Sequence, residues 1–209
     1  MTMRVSDVLA AVKERDAQHL HQQKGRSYAL LLPLVEENGK VHLLFEVRAK
    51  HLNTQPGEIC FPGGRVDETD ASVLDAAIRE TSEELGLDPH HMIDIYPLDY
   101  TIGNMNLYPF VGRLLEPKKI NPHPDEVDSI FTIPLDELLT MKPLKHVVKF
   151  VPTFEDDFPF DLIPNGRDYQ WFSRNMTQYF YLYDDKVIWG LTAQFLHHFL
   201  EIIRDNEKN

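Results

Sequence analysis

The sequence predicts an α/β domain over residues 25–209, preceded by a short helix and connector over 1–24. Two observations carry that prediction. Apolar runs of strand length recur along the chain, and two helical patterns, near 73–85 and 190–203, interrupt them. At 209 residues the chain can bury a proper core. Its 43% apolar and 26% charged content is that of a soluble globular protein.

In chain order, Arg4 to about Leu20 has Val5, Val8, Leu9 and Val12 at helical spacing and predicts an amphipathic helix. Ser27 to Val35 is an almost continuous apolar run, with Pro33 expected to make its far end an edge or a bulge. Asn38-Gly39 then turns the chain into a second arm, Val41 to Val47. Arg48 to Gly64 is charged and turn-rich. Met92 to Tyr100 and Leu107 to Leu115 predict strands joined by a polar turn at 101–106. An acidic stretch, Asp125-Glu126-Val127-Asp128, precedes a short strand and a helix start at Pro134-Leu135. Residues 153–178 are aromatic and irregular, either a cover over the core or part of a substrate pocket. Gln178 to Tyr183 and Lys186 to Trp189 predict a hairpin, and Gly190 to Ile203 a terminal amphipathic helix. Within it His197 and His198 are adjacent, point about 100° apart and make a poor metal pair.

The stretch from Phe61 to Leu87 organises the rest. A turn at Pro62-Gly63-Gly64 leads through an acidic loop to a helix with Ser72 as N-cap and Gly86 as its stop. Val73, Leu74, Ala77, Ile78, Thr81 and Leu85 share one face. Glu80 and Glu84 lie one turn apart along its edge with Glu83 beside them. Three carboxylates in the last turns repel one another and meet the negative end of the helix dipole. Mg²⁺ or Mn²⁺ bound to Glu80, Glu83 and Glu84 removes that conflict, because hard cations take oxygen ligands and keep sites for water and phosphate. A solvated acidic face is the plain alternative for such a cluster.

Arg79-Glu80-Thr81-Ser82-Glu83-Glu84-Leu85-Gly86-Leu87 resembles the second half of the Nudix box, Arg-Glu-U-x-Glu-Glu-x-Gly-U with U a bulky aliphatic residue. Thr81 departs from it, the spacing from Gly64 to Arg79 is one residue longer than the general pattern, and Asp70 stands on or near the upstream Glu position. That longer spacing looks like the coenzyme A pyrophosphatase branch of the family. So does the upstream stretch, which matches the branch signature at Arg48, Leu52, Gly57, Phe61, Pro62, Gly63 and Gly64. Ala49 and Gln55 replace the Ser and His usual there.

The resemblance implies a Nudix-type α/β/α sandwich with a mixed central β-sheet. It implies a hydrolase that cleaves the diphosphate of coenzyme A or acyl-CoA with Mg²⁺ or Mn²⁺, giving adenosine 3′,5′-bisphosphate and 4′-phosphopantetheine. In that reading Glu80, Glu83 and Glu84 hold the metal, and Glu126 or Glu83 takes the proton from water. Glu126 could equally be a further ligand. Arg79 orients a box carboxylate, and Gly63, Gly64 and Arg48 border the substrate. Two alternatives stand beside it: hydrolysis of another nucleoside diphosphate compound such as ADP-ribose or a dinucleotide, and a silent Nudix-fold binding module.

A net charge of −12 argues against gripping a nucleic-acid backbone, though not against a small phosphorylated ligand. No apolar run is long enough to span a membrane. Cys60, the only cysteine, reads as a buried strand thiol and fits a reducing compartment. The last residues lack a Ser-Lys-Leu address, so the expected location is the cytoplasm. A homodimer is compatible with the sequence and not required by it.

Overall fold

The structure, a computed structural model, describes residues 27–101 and 105–206. The expected N-terminal helix lies outside the described residues. A mixed sheet forms the middle layer. Its main path runs β3 (Ile59–Cys60), β2 (Lys40–Arg48), β1 (Ser27–Glu37), β6 (Asn106–Leu114) and β5 (Met92–Pro97). Two strands join off that path: β4 (Gly63–Arg65) on β1 and β7 (Val127–Pro134) on β2. Only β1 and β6 run parallel, with Leu31 opposite Phe110; the other pairs in this sheet are antiparallel.

Because side chains alternate across a strand, β1 feeds two cores. Ala29, Leu31 and Val35 face helix α1 (Val73–Leu85) and pack with Ala76, Ala77 and Leu85. Leu32 faces the other way, with Leu43 and Phe45 of β2, toward helix α3 (Gly190–Asn206), whose Leu196, Phe199 and Leu200 close that side. The result is the expected α/β/α layering. A short helix, α2 (Leu135–Thr140), follows β7. Each fully buried leucine here contributes about 1.5–3 kcal/mol.

Pro33 is not at an edge or a bulge, as the sequence suggested. It sits inside β1, opposite Gly112 of β6. On its other side β1 pairs with β4 at residues 28–30 and with β2 from Leu34 onward. Pro33 falls between those pairings, so its missing N–H interrupts neither ladder.

A second, three-stranded sheet has the order β10 (Lys186–Ile188), β9 (Arg174–Tyr183), β8 (Leu144–Phe150). The expected hairpin is β9–β10; β8 was not foreseen, and it is exposed along its whole length. Between β8 and β9 the aromatic segment packs chiefly on itself. Phe154, Phe158 and Trp171 are in mutual ring contact, and Phe160 lies under the Arg167 guanidinium. None of these residues belongs to either main core cluster, and of them Phe160 is buried.

Candidate active site

Helix α1 begins and ends where its local chemistry dictates. The Ser72 hydroxyl accepts from the Asp75 backbone N–H at 3.1 Å and donates to the Asp75 carboxylate at 2.8 Å. Gly86 adopts the left-handed conformation, and its N–H donates to the Ser82 carbonyl. Beyond that point the Asn121 N–H donates to the Leu85 carbonyl and the His123 N–H to the Glu84 carbonyl, both at 2.9 Å. The last open carbonyls of α1 therefore anchor the loop that carries Glu126.

The turn at Gly63-Gly64 abuts α1 on its inner side. Gly63 has φ 148°, and a β-carbon there would strike the backbone of Ala29 and Leu30. At Gly64 a β-carbon would strike the Glu80 carboxylate. Both glycines thus admit neighbouring protein groups, and Gly63 also supplies a donor: its N–H bonds Glu84 Oε2 at 2.7 Å.

The four carboxylates expected at the site differ in setting. Glu84 is buried, with 4% of its surface exposed. Burial first, and the charges of Glu46, Glu80 and Glu126 after it, raise its pKa well above the ordinary carboxylate range against the pull of the Gly63 N–H. Glu80 is half-buried and also raised, mainly by burial, with Arg79 opposing. Glu83 is exposed, with Oε2 3.4 Å from Arg79 Nη1. Glu126 is exposed at the rim, and its charge acts on both Glu80 and Glu84. Glu80, Glu84 and Glu126 therefore share one neighbourhood, and Glu83 stands at its edge. Among the described residues no group of three or more Asp, Glu, His or Cys side chains is arranged to hold a metal ion as it stands.

Arg79 does more than the expected pairing with a box carboxylate. Its Nε and Nη2 hold the Asp70 carboxylate in a two-point fork, 2.9 Å each, while Nη1 donates to Glu80 Oε1 at 2.9 Å. Nη2 also reaches the Arg65 carbonyl at 3.1 Å. Asp70 is pulled down to about 2, first by the Arg79 hydrogen bonds. It thereby clamps the loop before α1 to the arginine that steers Glu80. Arg48 Nε lies 3.4 Å from the Thr54 carbonyl, its charge acts on Glu46 and Cys60, and its backbone pairs with Gly57 and Glu58 to close the loop at 49–57.

One acidic residue went unnoticed in the sequence. Glu46 lies on β2 among Leu43, Leu44 and Phe45 and is 1% exposed. The signal was a single charge inside an otherwise apolar strand run. Cys60, directly across the β2–β3 ladder, donates its thiol to Glu46 Oε1 at 3.1 Å. Burial and Glu46 together push the Cys60 thiol far up, which fits a structural thiol and not a nucleophile. His197 is structural too, its Nδ1 2.8 Å from the Tyr181 hydroxyl, and His198 meets Asp99 on the other side.

The side chains of Glu46, Glu80, Glu84 and Glu126 offer carboxylate oxygens as ligands, and Glu46 Oε2 is buried with no hydrogen-bond partner among the described residues. That chemistry fits a hard divalent cation. A cavity of about 330 Å³ lies across the sheet edge, lined by Val47, Gly57, Glu58, Ile59, Lys186 and Trp189. Val47 and Ile59 face away from α1, so this cavity is not the carboxylate cluster.

The NUDIX domain model matches residues 25–158, a span that includes the Gly63-Gly64 turn, helix α1 and Glu126. The chain belongs to the Nudix hydrolase family. Nudix hydrolase 3 of Caenorhabditis elegans is 32% identical over 188 residues, covering 84% of this chain and 72% of that protein. The mouse peroxisomal coenzyme A diphosphatase NUDT7 is 36% identical over 141 residues, 65% of this chain; the match spans 58% of the mouse protein's length. Among solved structures, a MutT/nudix family protein from Enterococcus faecalis aligns over 97% of this chain and 70% of its own, with a TM-score of 0.51 and 13% identity, a likeness of fold alone. No helix among the described residues of this Nudix chain is long and apolar enough to cross a membrane.

Proposed function

We propose that this Nudix hydrolase cleaves the diphosphate of coenzyme A or an acyl-CoA in the cytoplasm, giving adenosine 3′,5′-bisphosphate and the (acyl-)4′-phosphopantetheine. The observation that carries the hydrolytic reading is the burial of Glu84 beside Glu80 and Glu126, a concentration of carboxylates in which Glu84 has no ion-pair partner among the described residues. The coenzyme A reading rests on the run from Arg48 to Gly64 and on the name of the mouse relative.

Glu80 and Glu84, with Glu83 at the edge, would hold Mg²⁺ or Mn²⁺. Bound there, the ion would supply charge neutralisation at the diphosphate oxygens and a water of lowered pKa. The residues of the chain divide the remaining work. Gly63 aims Glu84 through its N–H, and Arg79, steadied by Asp70, aims Glu80. Exposed Glu126, at the rim and anchored to the end of α1, takes the proton from the attacking water.

Incubation of the protein with coenzyme A and Mg²⁺ or Mn²⁺, followed by chromatography of the products, tests this. Adenosine 3′,5′-bisphosphate released by the wild type and not by Glu84→Gln supports the whole reading. Cleavage of ADP-ribose or a dinucleotide, with coenzyme A untouched, keeps the metal site and discards the substrate. Failure to cleave any diphosphate would favour a ligand-binding module.

A further inference from the structure

Leu44 and Glu46 lie on the same side of β2, and Leu44 packs in the core beneath α1. Glu46 therefore projects from the sheet toward the layer that carries Glu84. Its two oxygens are treated differently. Oε1 accepts the Cys60 thiol, while Oε2 is buried and has no hydrogen-bond partner among the described residues. A carboxylate retained in a dry strand interior for packing alone would have both oxygens satisfied. Residues 61–62 link Cys60 to Gly63, whose N–H holds Glu84, so one short segment fixes both carboxylates.

We propose that Glu46 is an additional carboxylate of the metal site, outside the helix motif, whose free Oε2 meets the divalent cation directly or through a bound water while Cys60 holds Oε1. The inference rests on the metal site argued above. The charges of Glu46 and Glu126 both reach Glu84, and at Glu46 the positive charge of Arg48 opposes that of Glu126. Cys60 is then a positioning residue, which accounts for a strand thiol with no nucleophilic character.

Calorimetric titration with Mn²⁺ alone, without substrate, tests this on the full chain. Glu46→Gln should bind Mn²⁺ roughly 10- to 100-fold more weakly than the wild type. Its melting temperature without metal should equal or exceed that of the wild type, and the rise caused by Mn²⁺ should shrink. Cys60→Ala, which leaves the carboxylate and removes its donor, should weaken Mn²⁺ several-fold. Wild-type affinity in a folded Glu46→Gln overturns the proposal. Should Glu46→Gln not fold, wild-type affinity in Cys60→Ala overturns it. Loss of binding in Glu84→Gln but not in Glu46→Gln rejects Glu46 and leaves the metal site standing. A wild type that binds no Mn²⁺ rejects both.

Discussion

At the Gly63-Gly64 turn the chain buries charge, whereas along β8 and the segment after it the chain exposes apolar side chains. Glu46 and Glu84 are almost completely covered, while Val147, Val148, Phe150 and Phe172 stand in solvent. Both departures cost free energy, but they are held differently. Each buried carboxylate is fixed by short polar contacts to backbone or side chain, namely Gly63 N–H and Cys60 Sγ. The exposed strand is held by its backbone ladder to β9, with His146 edge-on to Phe180 and Lys145 over the Tyr179 ring. The first region is therefore sensitive to single atoms, and the second is not.

Substitutions sharpen that contrast. The largest effect belongs to Glu84→Gln, which should lower metal-dependent kcat/KM by on the order of 100-fold, measured with saturating Mn²⁺. Asp70→Asn should follow with a loss of about 10-fold, because Arg79 keeps Glu80 but loses its two-point anchor. Gly64→Ala forces a β-carbon into the Glu80 carboxylate, which must swing aside, and should cost up to about 1 kcal/mol in urea unfolding.

Stability should also respond to pH. Glu84 is raised from 4.5 to about 9, so the folded state binds more protons than the unfolded chain between those values. Stability without metal then falls as pH rises through that window, the slope following the difference in bound protons. Thermal melts from pH 5 to pH 9, approximately that interval, should show the fall, and Mn²⁺ should flatten it. Asp70 acts in the opposite sense. Its contribution is present above the unfolded carboxylate range and disappears as pH falls toward about 2. The smallest effect is expected at β8, where Val147→Thr should change stability by less than about 0.5 kcal/mol. A large loss there would show that the exposed sheet is covered in solution and would break the comparison.

The same contrast governs what could be read from the sequence. Helix α1 was legible because its caps, its apolar face and its glutamates all lie within one short run. The hairpin at Asn38-Gly39 and the terminal helix were legible for the same local reason. Asp70 was visible as a departure from the box, but its fork with Arg79 needed the loop to fold back onto the helix. Glu46 needed more still, since its importance depends on β2 lying beneath α1 and across from β3. β8 was missed because it has no buried face to impose an alternating pattern, and its partner strand begins only at Arg174. Pro33 misled because its tolerance depends on where β4 stops and β2 begins, which no local pattern encodes.

The central claim is that the carboxylates around the Gly63 turn hold a divalent cation. Crystals grown with Mn²⁺ and recorded at an energy where manganese scatters anomalously test it most directly. The account predicts an anomalous peak among the oxygens of Glu80, Glu84 and Glu46, with Glu126 facing it. Manganese bound elsewhere, with Glu84 still hydrogen-bonded to Gly63 in an empty cluster, would contradict it.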